Sequence, residues 1–520
     1  MLIKFELENF RSVRDSMELS LAAINYYKEH RDELLEKTLP GLSGVRFLRA
    51  AAIFGPNASG KSTVFQGLRT MQDIVLRSAS MPSSTELPYR PYLLDESSRT
   101  KPTSFFVAFV SEGVRYEYSF SYTATIVTEE KLSAFPKGRE QVWFVRKTSE
   151  RQNGNLGTHI NGSSFLRVPA ALLPLLNDNA LLLSLLANYP KYEGSIKVKP
   201  VVDWFAKGLM MLDRGPKTIS DYPFSGEILD GEGTEFQRSF IQNMIRKADV
   251  GISETKVERV PFPEELRRSD LLNLLEEHEQ PEEYKTVVFE HDSQFGKVKF
   301  NINDESDGTY QLFSLSGHIA QALEGGATLF VDEIDASLHP ILVREVVRCF
   351  LSPGSNSNDA QLVFTAHNPC LLDEDLLRRD QVWLTEKSQG ATELYPLSEY
   401  SPRNDESLVS GYLLGRYLPL LLFRRALVDA TRVAKVKLVA TKGYMRKPGA
   451  RQPRKRTAIF TEGSDGSRVP EIPRQQIGHT QGTCGILPSE HTDPKGLVND
   501  AVAAKEFKQE QGETQERGAY

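Results

Sequence analysis

Cysteine is scarce in this sequence. There are three in 520 residues, Cys349, Cys370 and Cys484. That number excludes a disulfide framework and leads to the expectation of a reducing, cytoplasmic setting. Long apolar runs are missing as well. The greasiest stretch, Leu413 to Phe423, is broken by Arg416 and followed by Arg424-Arg425. It is too short to cross a bilayer, so no membrane partner is expected. The start, Met1-Leu2-Ile3-Lys4-Phe5, alternates as a strand does and lacks the features of a signal peptide. Charge of one sign does not dominate either. A net charge of −6 gives no global nucleic-acid signature. Sustained heptads are absent, which argues against a long coiled coil. What is left, at 40% hydrophobic and 25% charged residues, is an ordinary globular composition long enough for two or three domains.

One stretch stands out against that background. Gly55-Pro56-Asn57-Ala58-Ser59-Gly60-Lys61-Ser62-Thr63 meets the pattern GxxxxGK[ST] in full. The apolar run Ala50 to Phe54 precedes it and a helix-like segment, Thr63 to Leu68, follows. Strand, glycine-rich loop and helix are the context a phosphate-binding loop needs. Its backbone N–H groups cradle phosphate oxygens, and the helix N-terminus adds partial positive charge. The expected ligands are ATP and Mg²⁺. Lys61 reaches the β- and γ-phosphates, and the Ser62 hydroxyl ligates the metal.

A partner motif lies far downstream. Thr328-Leu329-Phe330-Val331 is a short buried-strand pattern that ends in Asp332-Glu333. An acidic pair after a strand is common by itself. Beside a phosphate loop it reads as a second metal ligand, Asp332, and a general base for water, Glu333. Thr365-Ala366-His367-Asn368 follows another buried-strand pattern, Leu362 to Phe364, and places His367 where it can touch a γ-phosphate. Ser306-Asp307-Gly308-Thr309 is similar to the signature loop of ABC-type ATPases. Asp335 to Pro340 is similar to their D-loop. Plain readings, a polar turn and a helix start, stand beside these two.

Lys61 and Asp332 are separated by more than half the chain, yet both must reach one Mg²⁺. The expected fold is therefore α/β: a P-loop head of the ABC, SMC and RecF type, split by an insertion. Residues 1–150 read as the first part of the head and 286–417 as the second. Residues 151–285 read as an inserted helical lobe, from patterns such as Leu181 to Leu186, Phe236 to Val250 and Leu271 to His278. In that group one nucleotide is sandwiched between two heads. Ser306 and Gly308 would then complete the site of a second copy, giving a homodimer or a higher even oligomer.

Leu7-Glu8-Asn9-Phe10-Arg11-Ser12, the Gly55 to Thr63 loop, Ser306 to Thr309, Val331 to Pro340, Thr365 to Pro369 and Tyr412 to Tyr417 together resemble the RloA or AbiLi-type ATPases. These belong to bacterial phage-defence and abortive-infection systems. The resemblance implies an ATP-driven switch that licenses a separately encoded toxic effector of the RloB or AbiLii type. The tail carries a second likeness. Arg456 to Gly463 and Thr492 to Val498 resemble the beginning of RloB or AbiLii-type proteins, which have a Toprim-like fold. Glu462 matches the first metal-binding Glu of that fold, but no Asp-x-Asp follows it, so the metal set is incomplete. The tail is therefore expected at 457–520 as a partial fragment, with an atypical junction at 418–456. Within that junction, residues 442–456 hold seven Lys or Arg and no acid, a solvated linker composition. The alternative is a RecF- or SMC-like DNA-maintenance ATPase, which makes nucleic acid a further candidate partner. A nuclease acting alone is a third reading, disfavoured by the incomplete tail.

Overall fold

The computed structural model describes residues 1–37, 39–150, 156–213, 223–248, 251–261, 283–400 and 407–417. The helix expected over Leu271 to His278, the junction at 418–456, Glu462 and the fragment at 457–520 lie outside the described residues.

Strand propensity and period-2 burial organise the first part of the chain. The strands are β1 (Leu2–Glu8), β2 (Met17–Ser20), β3 (Ala50–Phe54), β4 (Thr103–Ser111), β5 (Val114–Tyr122), β6 (Val127–Phe135), β7 (Gln141–Glu150) and β8 (Leu156–Gly162). All but β3 form one antiparallel sheet of order β2-β1-β4-β5-β6-β7-β8. The β4–β5 hairpin turns at Glu112 and Gly113, with φ of 49° and 75°. Two successive positive φ values give the twist that a tight hairpin requires.

The remaining strands are β9 (Leu209–Leu212), β10 (Ile252–Pro261), β11 (Glu283–Ser293), β12 (Gly296–Asn301), β13 (Thr328–Val331), β14 (Gln361–Ala366), β15 (Val382–Ser388) and β16 (Ala391–Pro396). A second sheet has the order β16-β15-β3-β14-β13-β9. Its pairs are parallel from β15 to β9, and β16 closes one edge as an antiparallel hairpin strand. Strands β10, β11 and β12 make a small antiparallel sheet. The helices are α1 (Lys61–Arg77), α2 (Leu182–Ala187), α3 (Glu193–Asp203), α4 (Phe224–Glu227), α5 (Glu235–Ala248), α6 (Asp307–Gly325), α7 (Pro340–Leu351) and α8 (Leu408–Leu413).

The central parallel strands β3, β14 and β13 are buried throughout, which is why they read as unbroken apolar runs and not as alternating ones. Their side chains nevertheless divide by parity. Ala51, Ile53, Phe330 and Val363 enter one core with α1 and the antiparallel sheet. Ala50, Ala52, Phe54, Leu329, Val331, Leu362 and Phe364 enter the other, with α6 and α7. Helix α1 offers Val64, Phe65, Leu68, Met71, Ile74 and Val75 at helical spacing, and Phe65 meets the Phe330 ring edge-on at 5.4 Å.

The result is the P-loop α/β fold expected from the sequence. The stretch at 151–285, expected as a helical lobe, supplies helices α2 to α5 but also strands: β8 ends the antiparallel sheet, β9 joins the parallel sheet beside β13, and β10 and the start of β11 belong to the small sheet. Leu209-Met210-Met211-Leu212 is a four-residue apolar run between helical patterns, too short for periodicity to tell strand from helix.

Candidate functional site

Parallel pairing sets the geometry of the site. Phe54 pairs with Ala366, and Phe364 pairs with Val331. The carboxyl ends of β3, β14 and β13 therefore lie side by side along one edge of the sheet. Beyond those three ends come Gly55, His367 and Asp332. Open parallel sheets present ligand sites along this edge.

The loop from Gly55 to Gly60 leads directly into α1. Gly60 is the residue before the helix, with φ of 109°, and Ala58 also has a positive φ of 61°. Ser59 N–H donates to the Pro56 carbonyl at 3.2 Å, which curls the loop. Asn57 and Ala58 are exposed, whereas Gly55, Ser59, Lys61 and Thr63 are buried and Pro56, Gly60 and Ser62 half-buried. The Lys61 ammonium lies back across the loop, donating to the Gly55 carbonyl at 2.8 Å and the Pro56 carbonyl at 3.2 Å. Burial lowers its pKa from the ordinary lysine value. The carboxylates of Glu333, Asp332 and Asp335 act in the opposite direction. Those three groups share an electrostatic environment with Lys61 despite their distance in sequence.

Asp332 and Glu333 are held by one residue of the neighbouring strand. The Thr365 hydroxyl donates to Asp332 Oδ1 at 2.6 Å and accepts the Glu333 N–H at 2.7 Å. Glu333 has φ of 52°, so the chain turns sharply as it leaves β13. His367 Nε2 lies 3.4 Å from Glu333 Oε1. Asp335 Oδ2 accepts the backbone N–H groups of His367 at 2.8 Å and Asn368 at 2.6 Å. Its other oxygen, Oδ1, is buried without a hydrogen-bond partner.

Ser306 and Gly308 stand at the start of α6. Ser306 caps α6 by accepting the Thr309 N–H at 3.1 Å. A Cβ on Gly308 would come 3.1 Å from the Ser337 carbonyl, so this loop packs against the segment that begins at Glu333. Ser337 itself has φ of 61°. His339 caps α7 and Pro340 occupies its first turn, so the Asp335 to Pro340 stretch is also a helix start.

The residues present suit a magnesium-bound nucleoside triphosphate. The first N–H groups of α1 have no acceptor within the helix, and its dipole favours an anion there. Lys61 and the loop backbone would hold phosphate oxygens. Ser62 and Asp332 would hold Mg²⁺. A hydroxyl and one carboxylate are a set that fits Mg²⁺, which takes few protein ligands beside phosphate oxygens and water.

Some contacts of the site were not singled out by the sequence. Thr365 carries no motif signal of its own beyond adjacency to His367, and Asp335 was expected only as the start of the D-loop-like stretch. Thr385 and Thr392 read only as strand residues, yet the Thr385 hydroxyl lies 2.6 Å from that of Ser59, and Thr392 donates to the Ser59 carbonyl at 2.8 Å. Tyr412 packs its ring on Phe54 at 6.3 Å. Burial pushes its phenol up to about 12, partly offset by a backbone hydrogen bond with Gly55.

The family described as "AAA domain, putative AbiEii toxin, Type IV TA system" matches residues 50–165 and 234–373. The matched segments include the phosphate loop, the signature-like loop, the acidic pair and His367, so the chain is similar to that AAA domain over the stretches that carry the site. No curated protein matches. Among solved structures, the SMC head domain from Thermotoga maritima is 14% identical with a TM-score of 0.34, over 76% of this chain and 98% of that one. The Smc head with an extended coiled coil bound to the C-terminal domain of ScpA, from Pyrococcus furiosus, is 11% identical with a TM-score of 0.33, over 77% and 97%. Likenesses at this level place no residue. No helix among the described residues is long and apolar enough to cross a membrane.

Proposed function

We propose that this chain is a Mg²⁺-dependent ATPase serving as the switch of a bacterial anti-phage or abortive-infection system, which it exerts on a separately encoded effector. The observation that carries the ATPase reading is the convergence of Lys61, Asp332, Glu333 and His367 at one edge of the parallel sheet. Backbone N–H groups from Gly55 to Thr63 and the Lys61 ammonium bind the phosphates. Ser62 and Asp332 hold the metal, which neutralises charge on the β- and γ-oxygens. Glu333 orients the attacking water and accepts its proton. His367, held close to Glu333, contacts the γ-phosphate. Ser306 and Gly308 complete the site of a second copy, so the nucleotide joins two heads and hydrolysis lets them part. The matched family's toxin–antitoxin description supports the defence role.

Glu333→Gln is the deciding experiment. The variant should bind ATP with unchanged affinity, hydrolyse it at least about 100-fold more slowly, and accumulate as an ATP-bound dimer. Hydrolysis at the normal rate would remove Glu333 from its role. DNA-stimulated hydrolysis with steep salt dependence, in place of regulation of an effector, would favour a DNA-maintenance ATPase.

A further inference from the structure

We infer that Thr385 and Thr392, on the β15–β16 hairpin, are positioning residues that hold the phosphate loop in its nucleotide-binding conformation. This inference rests on the ATPase reading and deepens it.

The hairpin flanks β3 on the side away from β14, so it forms a wall behind the loop. Both threonines are buried, as is Ser59. Thr385 donates to the Phe54 carbonyl at 3.3 Å and meets the Ser59 hydroxyl at 2.6 Å, which ties the loop to the end of its own strand. The Thr392 hydroxyl lies 2.8 Å from the Ser59 carbonyl and 2.8 Å from the Ser12 hydroxyl. Ser12 in turn lies 3.0 Å from the Thr63 hydroxyl. The Thr392 hydroxyl is the donor, with the Ser59 carbonyl and the Ser12 hydroxyl both placed as acceptors of its one proton. The hydroxyls of Thr63, Ser12 and Thr392 thus form a connected chain from the first turn of α1 round to the loop carbonyl. The Thr392 N–H also donates to the Ser12 carbonyl at 2.6 Å, which locks the two segments together.

The glycines of the loop show how close this wall stands. A Cβ at Gly60 would lie 2.2 Å from Thr392 Oγ1, and one at Gly55 would lie 2.2 Å from Thr385 Oγ1. Both glycines are therefore required by the hairpin, and Gly60, with φ of 109°, by the loop's own backbone as well. A loop with positive φ at Ala58 and Gly60 sits in sparsely populated conformations that its surroundings must enforce. Fixing it before the ligand arrives aims the N–H groups inward and lowers the ordering cost of binding. The gain applies equally to bound substrate and to the transition state. Losing it should therefore raise KM and Kd and leave kcat unchanged.

The test uses the full chain, a fluorescent ADP analogue for binding, ATP turnover, and thermal unfolding without nucleotide. Thr392→Val removes the hydroxyl and keeps the shape, and Thr392→Ser keeps the hydroxyl. Thr392→Val should weaken binding about tenfold with kcat unchanged at saturating ATP, and Thr392→Ser should stay within about threefold of wild type. Wild-type affinity in Thr392→Val, or equal weakening in both variants, would overturn the inference. If Thr392→Val does not fold, Ser12→Ala reads the same hydroxyl chain from its half-buried link. Weakened binding at an unchanged unfolding temperature supports the inference, and unchanged binding overturns it. Failure of the wild-type chain to bind the analogue would strike the ATPase reading instead.

Discussion

The Thr365 hydroxyl donates to the Asp332 carboxylate at 2.6 Å, from one strand of the parallel sheet to the next. The same oxygen receives the Glu333 N–H. One side chain thus orients the proposed metal ligand through its carboxylate and the proposed general base through its backbone. Outer partners of metal ligands commonly contribute 10- to 100-fold in metal affinity or activity. Thr365→Val should raise the Mg²⁺ concentration needed for half-maximal hydrolysis by about tenfold or more. Metal-free nucleotide binding, which relies on the phosphate loop, should not change. A magnesium titration of ATPase activity, beside nucleotide binding in EDTA, separates the two. An unshifted magnesium curve would show that Asp332 needs no such support.

Asp335 holds the switch segment by its backbone. Its Oδ2 accepts two N–H groups, from His367 and Asn368. Hydrogen bonds to a charged acceptor are each worth about 1.5–3 kcal/mol, and removal leaves two donors without their partner. Asp335→Ala should slow turnover by about tenfold or more while nucleotide affinity holds, because His367 would lose its fixed distance from Glu333. Steady-state kinetics should show the change in kcat and not in KM. A pure KM effect would place Asp335 in ligand binding instead.

The two strands that feed this site were legible because buried parallel strands are short apolar runs bounded by turn residues. Thr328 to Val331 and Leu362 to Phe364 both fit that pattern. Lys61 was expected from the GxxxxGK[ST] loop, and Asp332, Glu333 and His367 from their places just after buried-strand patterns. Thr365, Thr385 and Thr392 were not singled out, since threonine is ordinary in strands. Their importance comes from contacts between segments distant in sequence, such as Ser59 with Thr385. The place of β9 was hidden for a related reason. Four apolar residues set among helical patterns join a sheet only when β13 arrives beside them more than 100 residues later.

A buried ion pair supports the antiparallel sheet away from the site. Arg146 Nη1 lies 3.7 Å from Glu130 Oε2, and both side chains are fully buried. Glu130 also accepts from Leu182 N–H at 2.7 Å, Leu183 N–H at 2.9 Å and the Tyr118 hydroxyl at 2.9 Å. It thereby joins the start of α2 to β5 and β7. Glu130→Ala should cost about 3–5 kcal/mol of stability, because the Arg146 charge is left buried and uncompensated. The paired change Glu130→Leu with Arg146→Met should cost markedly less than Glu130→Ala alone. Chemical denaturation of the three proteins checks this. Equal losses in both variants would mean that packing, and not charge, sets the cost.

Lys61 links the site to pH with opposite signs for stability and for binding. Its pKa in the folded protein is lowered by burial, against the opposing carboxylates of Glu333, Asp332 and Asp335. Between the folded value and the ordinary value of 10.5, the unfolded chain holds the proton more tightly. Stability of the nucleotide-free protein therefore rises with pH through that window, as far as this group is concerned. Bound phosphates favour the charged ammonium and raise its pKa again. Nucleotide binding then takes up a proton in the same window, so affinity falls as pH rises. Lys61→Met should bind weakly at every pH, with this slope removed. Calorimetric titration of nucleotide at alkaline pH, in buffers of different ionisation enthalpy, reads the proton uptake directly. No uptake in the wild-type chain, or equal uptake in Lys61→Met, would mean that Lys61 stays charged without nucleotide or lies apart from the phosphates.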